Sequence, residues 1–361
     1  MIRSMQRPSP RPSLLLTTFI KALSTVGRAP IDKLDAAGIA KARAARFPRN
    51  RVAQLVIGRI DPSVVITSAV APTRDGASLP LRVYRPGHGD APMPVVVFFH
   101  GGGWVQGNVV NYDPICTSLA AGLGALVVSV DYRMAPEHAA PTAAYDCIDV
   151  TDWLTRRAGD FGGDPRRLAV AGDSAGGNLA AVVTMAFCDQ DRDEIRAQAL
   201  IYPATDMTMS SPSIDEHANA PILTKANMLA FRAHYLGSAP GALTDRDPLV
   251  SPLFGRLDSL PPALIQTADL DPLRDDGIRY AAALESAGVT VRLTNYLGAP
   301  HGFTSFPGVY RSGAASRSEM IEFLRGYLNA PTSAPGAGSR SEHVDRGFTD
   351  AQDSLGSPSA E

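Results

Sequence analysis

The sequence predicts an α/β fold: a mostly parallel eight-stranded sheet flanked by helices. Three observations carry that prediction. Eight apolar runs of five to seven residues recur between residues 60 and 300, and helical patterns separate the later ones. The central runs, such as 95-VVVFF-99 and 125-ALVVSV-130, are continuous and largely β-branched. Strands covered by helices on both faces read this way, because neither side meets water.

Taken in order, residues 1–55 read as mainly helical. Ser13 can cap a helix on which Leu15, Leu16, Phe19, Ile20 and Leu23 recur at helical spacing. Arg3, Arg7 and Arg11 ahead of 14-LLLTTFI-20 superficially suggest an export signal, but Lys21 interrupts the run and no small-x-small site follows. The alanine-rich stretch 33-KLDAAGIAKARAARF-47 adds a second helical segment. The strands 64-VVITSAV-70 and 80-PLRVYR-85 have no helix between them, which predicts an antiparallel start.

From there strands and helices alternate. The strands are 95–99, 125–130, 167-RLAVA-171, 197-AQALIY-202, 263-ALIQTA-268 and 290-TVRLTNY-296; the helices are roughly 112–123, 141–158, 174–188, 272–287 and 315–328. Residues 204–255 break the rhythm around a short helix at 224-TKANMLAFRAHYL-236, which marks an insertion. The tail 331–361 is Ser/Gly/Ala/Pro-rich and cannot bury enough surface to offset its ordering entropy, so disorder is expected there.

Hydrophobic residues make up 45% and charged residues 19% of the 361, with a net charge of −2. That balance gives no electrostatic argument for a nucleic-acid partner. Cys116, Cys147 and Cys188 are too few and too dispersed for a disulfide framework or a metal cluster, and each falls in a helical segment. Buried thiols in a reducing, cytoplasmic compartment are expected. No run approaches the roughly 18 apolar residues of a membrane span.

The chemistry concentrates at Ser174. The strand 167–171 leads into Gly172-Asp173-Ser174-Ala175-Gly176 and then into the helix 175-AGGNLAAVVTMAF-187. This is the strand–turn–helix context of a nucleophile elbow, where a strained turn exposes one hydroxyl. The loop 100-HGGGWVQG-107 follows the strand 95–99 and offers unobstructed backbone amides of the kind an oxyanion needs. His100 ends that strand and is expected to support the loop by hydrogen bonding. Of seven histidines, His301 in 298-GAPHGF-303 lies just past the last strand, where a general base can reach Ser174. His88, His138, His217, His234 and His343 fall in turns, the insertion or the tail. The acid should lie between nucleophile and base in chain order. In 269-DLDPLRDDG-277 both Asp269 and Asp271 qualify, and Asp271 also reads as a helix cap.

The segments HGGGW, YRMAPE, GDSAGG, DPLRDD and HGF resemble those of the hormone-sensitive-lipase-like family of α/β-hydrolases, the bacterial family IV esterases, over about residues 60–325. The resemblance implies the α/β-hydrolase fold with a small helical cap. It implies Ser174 as nucleophile, Asp271 as acid and His301 as base. It further implies an oxyanion hole made by the amides of Gly102, Gly103 and Ala175, and places the chain in the GDSAG subgroup. The expected domains are a catalytic domain at 56–330, a cap from 1–55 with 204–255, and the tail at 331–361. The expected activity is hydrolysis of short- to medium-chain carboxylic esters through an acyl-enzyme, with no metal or organic cofactor. The partner is then a small-molecule ester, with no nucleic acid and no transmembrane segment; a homodimer stays open. An amidase, formamidase or peptidase would share the machinery, and a non-catalytic receptor would share the fold.

Overall fold

A computed structural model describes residues 5–8, 31–87 and 92–329. The expected helix at 13–24 with Phe19, Ile20 and Leu23, the tail at 331–361, and both His88 and His343 lie outside the described residues. In chain order the elements are β1 (Met5–Pro8), α1 (Ala36–Ala44), α2 (Arg51–Ile57), β2 (Val64–Pro72), β3 (Ser78–Pro86), β4 (Met93–Phe99), α3 (Asp113–Leu123) and β5 (Leu126–Val130). They continue as α4 (Thr142–Arg157), β6 (Gly163–Asp173), α5 (Ala175–Cys188), β7 (Ile195–Ile201), α6 (Ser213–Glu216) and α7 (Lys225–Leu236). Last come β8 (Ala263–Leu270), α8 (Arg274–Ser286), β9 (Val291–Pro300) and α9 (Arg311–Leu328).

The strands form one sheet in the order β1-β9-β8-β7-β6-β4-β5-β3-β2. All eight expected strands are present. β2 and β3 pair antiparallel, as does β3 with β5, and the remaining pairs are parallel. A ninth strand, β1, joins the edge beside Thr294–Leu297 of β9. Its sequence MQRP carries no apolar alternation; an open sheet edge offers it unpaired backbone groups instead.

Successive residues of β4 feed opposite faces. Val95, Val97 and Phe99 pack with Leu154 of α4, Leu179 and Val183 of α5 and Tyr280 of α8. Val96 and Phe98 pack with Leu119 of α3 and with Met320 and Phe323 of α9. Every residue of β4 and β5 is buried, which explains their unbroken apolar sequence. Cys116, Cys147 and Cys188 are free and buried. No helix among the described residues is long and apolar enough to cross a membrane.

The segment after β7 is fastened to α8 by a buried carboxylate. Asp276 accepts hydrogen bonds from the amides of Thr205 (3.0 Å) and Asp206 (3.2 Å) and from the Ser211 hydroxyl. Burial raises its pKa to about 7. Helix α7 then returns over the carboxyl end of the sheet. Tyr235 stacks on Trp104 at 4.4 Å between ring centroids and 5° between planes. The 31–47 segment is tied down beside it: Asn108 Nδ2 donates to the carbonyls of Arg43 and Ala45, each at 3.0 Å.

One contact sets how closely the layers approach. A Cβ on Gly176 would lie 2.0 Å from the Phe99 carbonyl oxygen, and one on Gly172 2.2 Å from the Gly176 carbonyl oxygen. Both glycines are therefore required by the crossing of β4, β6 and α5. Gly326, in contrast, lies exposed in α9 and a Cβ there would meet nothing within 4 Å. Gly176→Ala should thus lower the thermal unfolding midpoint sharply or prevent folding. Gly326→Ala should be neutral or stabilising by about 0.5–1 kcal/mol. Equal midpoints for the two variants in calorimetry would show that this crossing tolerates expansion.

Candidate active site

Ser174 sits between the end of β6 and the first residue of α5 with φ 56° and ψ −119°. A non-glycine residue held at positive φ costs of order 1–3 kcal/mol, so the surroundings must enforce it. They do so through the backbone. The Ser174 amide donates to the Ile201 carbonyl at 2.8 Å, and its carbonyl accepts from Asn178 at 3.0 Å. Asn178 in turn donates through Nδ2 to the carbonyls of Ala204 and Val250, each at 2.8 Å.

His301 follows β9 directly and is buried. Its Nε2 lies 3.0 Å from Ser174 Oγ, and its Nδ1 lies 2.7 Å from Asp271 Oδ2. Asp271 is fully buried, and its other oxygen accepts the Leu273 amide at 2.9 Å. Asp271 therefore closes the turn ahead of α8 and faces the imidazole, but it is not the helix N-cap the sequence suggested, because α8 begins at Arg274 with Leu273 in the capping position. Asp269 stands apart, partly exposed, and accepts the Gly298 amide at 3.0 Å. Distance thus separates two aspartates that residue type could not.

The glycine loop runs beside Ser174. Among the described residues neither the Gly102 nor the Gly103 amide donates to a protein acceptor. Ala175 opens α5, where helix amides lack an intrahelical partner. His100 Nδ1 pairs with the Gly101 carbonyl at 2.8 Å, and its ring stacks on Tyr132 at 4.4 Å. Burial lowers its pKa, so a neutral ring holds the loop.

Sequence reasoning missed Asp173. Its buried carboxylate accepts from the Gly101 amide (2.8 Å), from Tyr112 Oη (3.1 Å) and from Tyr202 Oη (3.4 Å). Tyr202 also pairs with the Thr304 hydroxyl, and Thr304 stands three residues past His301. The carbonyl of Thr304 is held in turn by Arg317, at 2.8 Å from Nη2. Burial raises the Asp173 pKa to about 6. Only the position of Asp173 beside the nucleophile hinted at this role.

Ser174, His301, Asp173, Tyr112 and the glycine loop line a cavity of about 240 Å³. Phe47 from the N-terminal segment and Met207, Ile222, Met228 and Phe231 from the 204–255 segment wall it. A Cβ on Gly103 would lie 2.4 Å from the Phe231 ring, so the insertion rests directly on the glycine loop. Of the apolar residues Met228, Leu229, Phe231 and Leu236 on α7, two do not take part. Leu229 is 50% exposed, and Leu236 is buried without lining the cavity. Among the described residues, His138 is exposed and His217 contacts Arg274. No group of His, Cys, Asp or Glu among the described residues is arranged to hold a metal ion.

The chain is similar to known proteins. A family profile described as alpha/beta hydrolase fold matches residues 96–305. Carboxylesterase NlhH of Mycobacterium tuberculosis is 42% identical over 256 residues, covering 70% of this chain and 79% of that protein. An ethyl acetate hydrolase of Pseudomonas putida is 35% identical over 278 residues, covering 76% and 86%. Among solved structures, a hyperthermophilic esterase from the archaeon Pyrobaculum calidifontis superposes with a TM-score of 0.77. It is 35% identical, and the match covers 88% of this chain and 99% of that one.

The raised Asp173 pKa has a measurable sign. The folded chain holds this proton more tightly than the unfolded chain, whose carboxyl titrates near 3.8. Stability should therefore fall as pH rises from about 4 to about 6, and Asp173→Asn removes that dependence. The unfolding midpoint of the native protein relative to Asp173→Asn should increase between pH 7 and pH 5. A difference that stays flat with pH would show that Asp173 titrates normally.

Proposed function

The chain belongs to the α/β-hydrolase-fold family, in its hormone-sensitive-lipase-like branch, and we propose that it is a carboxylic ester hydrolase working through an acyl-enzyme. The observation that carries this reading is the continuous line of contacts from Ser174 Oγ through His301 to Asp271, at 3.0 and 2.7 Å. In it Ser174 is the nucleophile, His301 the general base and Asp271 the acid that orients and supports the imidazolium.

Ser174 Oγ attacks the ester carbonyl while His301 Nε2 takes its proton. The carbonyl oxygen becomes an oxyanion that accepts hydrogen bonds from the amides of Gly102, Gly103 and Ala175; one such donor is worth roughly 3 kcal/mol of barrier. His301 then returns the proton to the departing alkoxide. Water enters and attacks the acyl carbon as His301 takes its proton; His301 then returns that proton to Ser174 Oγ as the Oγ–acyl bond breaks and the carboxylic acid leaves. No step requires a metal or an organic cofactor.

The substrate class follows from the cavity. About 240 Å³ bounded by Met207, Ile222, Met228 and Phe231 suits short- to medium-chain acyl esters better than long triglycerides. The relative named for ethyl acetate points the same way. In this reading residues 31–55 and 204–255 form the cap over a catalytic domain at 56–330, whereas Met5–Pro8, expected in the cap, pairs with the sheet edge instead. Three free buried thiols support a reducing, cytoplasmic setting.

Hydrolysis of p-nitrophenyl esters and anilides of graded chain length tests the assignment. Ser174→Ala should lose several orders of magnitude in kcat while unfolding at the native temperature. A Ser174→Ala protein with near-native turnover would refute the mechanism. Asp271→Asn should cost on the order of 10⁴-fold in kcat, because the amide cannot support the imidazolium. Asp269→Asn should cost far less, since Asp269 only anchors the Gly298 amide. The reverse ranking in steady-state kinetics would move the acid to Asp269.

A further inference from the structure

A second cavity, of about 70 Å³, lies behind the first and shares two lining residues with it, Phe47 and Asn111. Ile57, Ile60, Val110 and Pro114 complete much of its wall, so it is largely apolar. We propose that the Phe47 side chain is a partition that ends the substrate cavity and sets the length of one limb of the ester. The proposal rests on the ester-hydrolase reading and adds to it a residue that determines specificity.

Three observations support a partition over a loose surface side chain. The Phe47 amide donates to Asn111 Oδ1 at 2.9 Å. Asn111 Nδ2 donates to the Ala45 carbonyl at 3.1 Å. Asn111 therefore spends both ends of its amide on fixing the backbone that carries Phe47. The Phe47 ring also meets Phe306 edge-on, at 6.5 Å between centroids and 72° between planes. Phe306 lines the substrate cavity five residues beyond His301. The ring is thus held at both ends, by backbone pairing and by an aromatic neighbour, at the boundary between the two spaces. What lies beyond it is apolar volume of the kind a hydrocarbon chain fills.

Two ester series test this: p-nitrophenyl esters of lengthening acids, and acetate esters of lengthening n-alcohols. In the native protein kcat/KM should rise by about fourfold per methylene until the cavity is full, then fall. Phe47→Ala should move that optimum at least two carbons longer in one series only. Adding Val110→Phe, which refills the second cavity from another of its lining positions, should return the optimum to its native length. Phe47→Leu gives a graded version should the alanine protein not fold, with a smaller shift in the same series. An unchanged optimum in a folded, active variant would overturn the partition. So would an equal gain for short and long esters, which signals general loosening. A native protein that hydrolyses no ester would instead defeat the underlying functional reading.

Discussion

A single buried carboxylate joins the parts of the site. Asp173 ends β6 next to Ser174 and accepts from the Gly101 amide, from Tyr112 and from Tyr202. Through Tyr202 and Thr304 the same network reaches the turn that follows His301, and Arg317 holds the Thr304 carbonyl from behind. The glycine loop, the nucleophile turn and the histidine turn are consequently not placed independently. A carboxylate surrounded by neutral donors keeps its charge at a cost, which is why burial raises its pKa. Such fully occupied polar networks favour one arrangement, because any partial version strands a buried charge.

The sheet makes this junction reachable. Parallel strands β4, β6, β7, β8 and β9 all point their carboxyl ends the same way, so the loops after them converge. The glycine loop, Ser174, Asp271 and His301 each follow one of those strands. The 204–255 segment then covers them. Its hold on α8 through Asp276 and its contact with Gly103 through Phe231 make the cavity roof and the glycine loop share a wall. In the proposed mechanism, substrate fit and oxyanion binding are mechanically connected.

Much of this was legible in the sequence, and the rest was not for definable reasons. The strand–helix alternation, the insertion and the elbow around Ser174 all rest on local pattern, and each appears where that pattern places it. His301 was singled out because chain order and strand ends restrict where a base can stand, and its ring lies 3.0 Å from Ser174 Oγ. Asp269 and Asp271 could not be separated by residue type, since both follow the same strand; only the 2.7 Å contact of Asp271 with His301 distinguishes them. Asp173, Tyr112 and Tyr202 meet across sequence separations of 61 and 29 residues, and no local periodicity reports such contacts. The strand Met5–Pro8 joins the sheet by edge pairing alone, without a hydrophobic signature.

The central claim is that Ser174 carries the acyl group, and direct trapping tests it. The protein is mixed with p-nitrophenyl acetate, quenched in acid within the first turnover and analysed by peptide mass spectrometry. The account predicts one acetyl group, on the peptide containing Ser174, with none trapped in the Ser174→Ala protein. Turnover with no acyl-protein at any time, or an acetyl group on another residue whose loss abolishes activity, would contradict it.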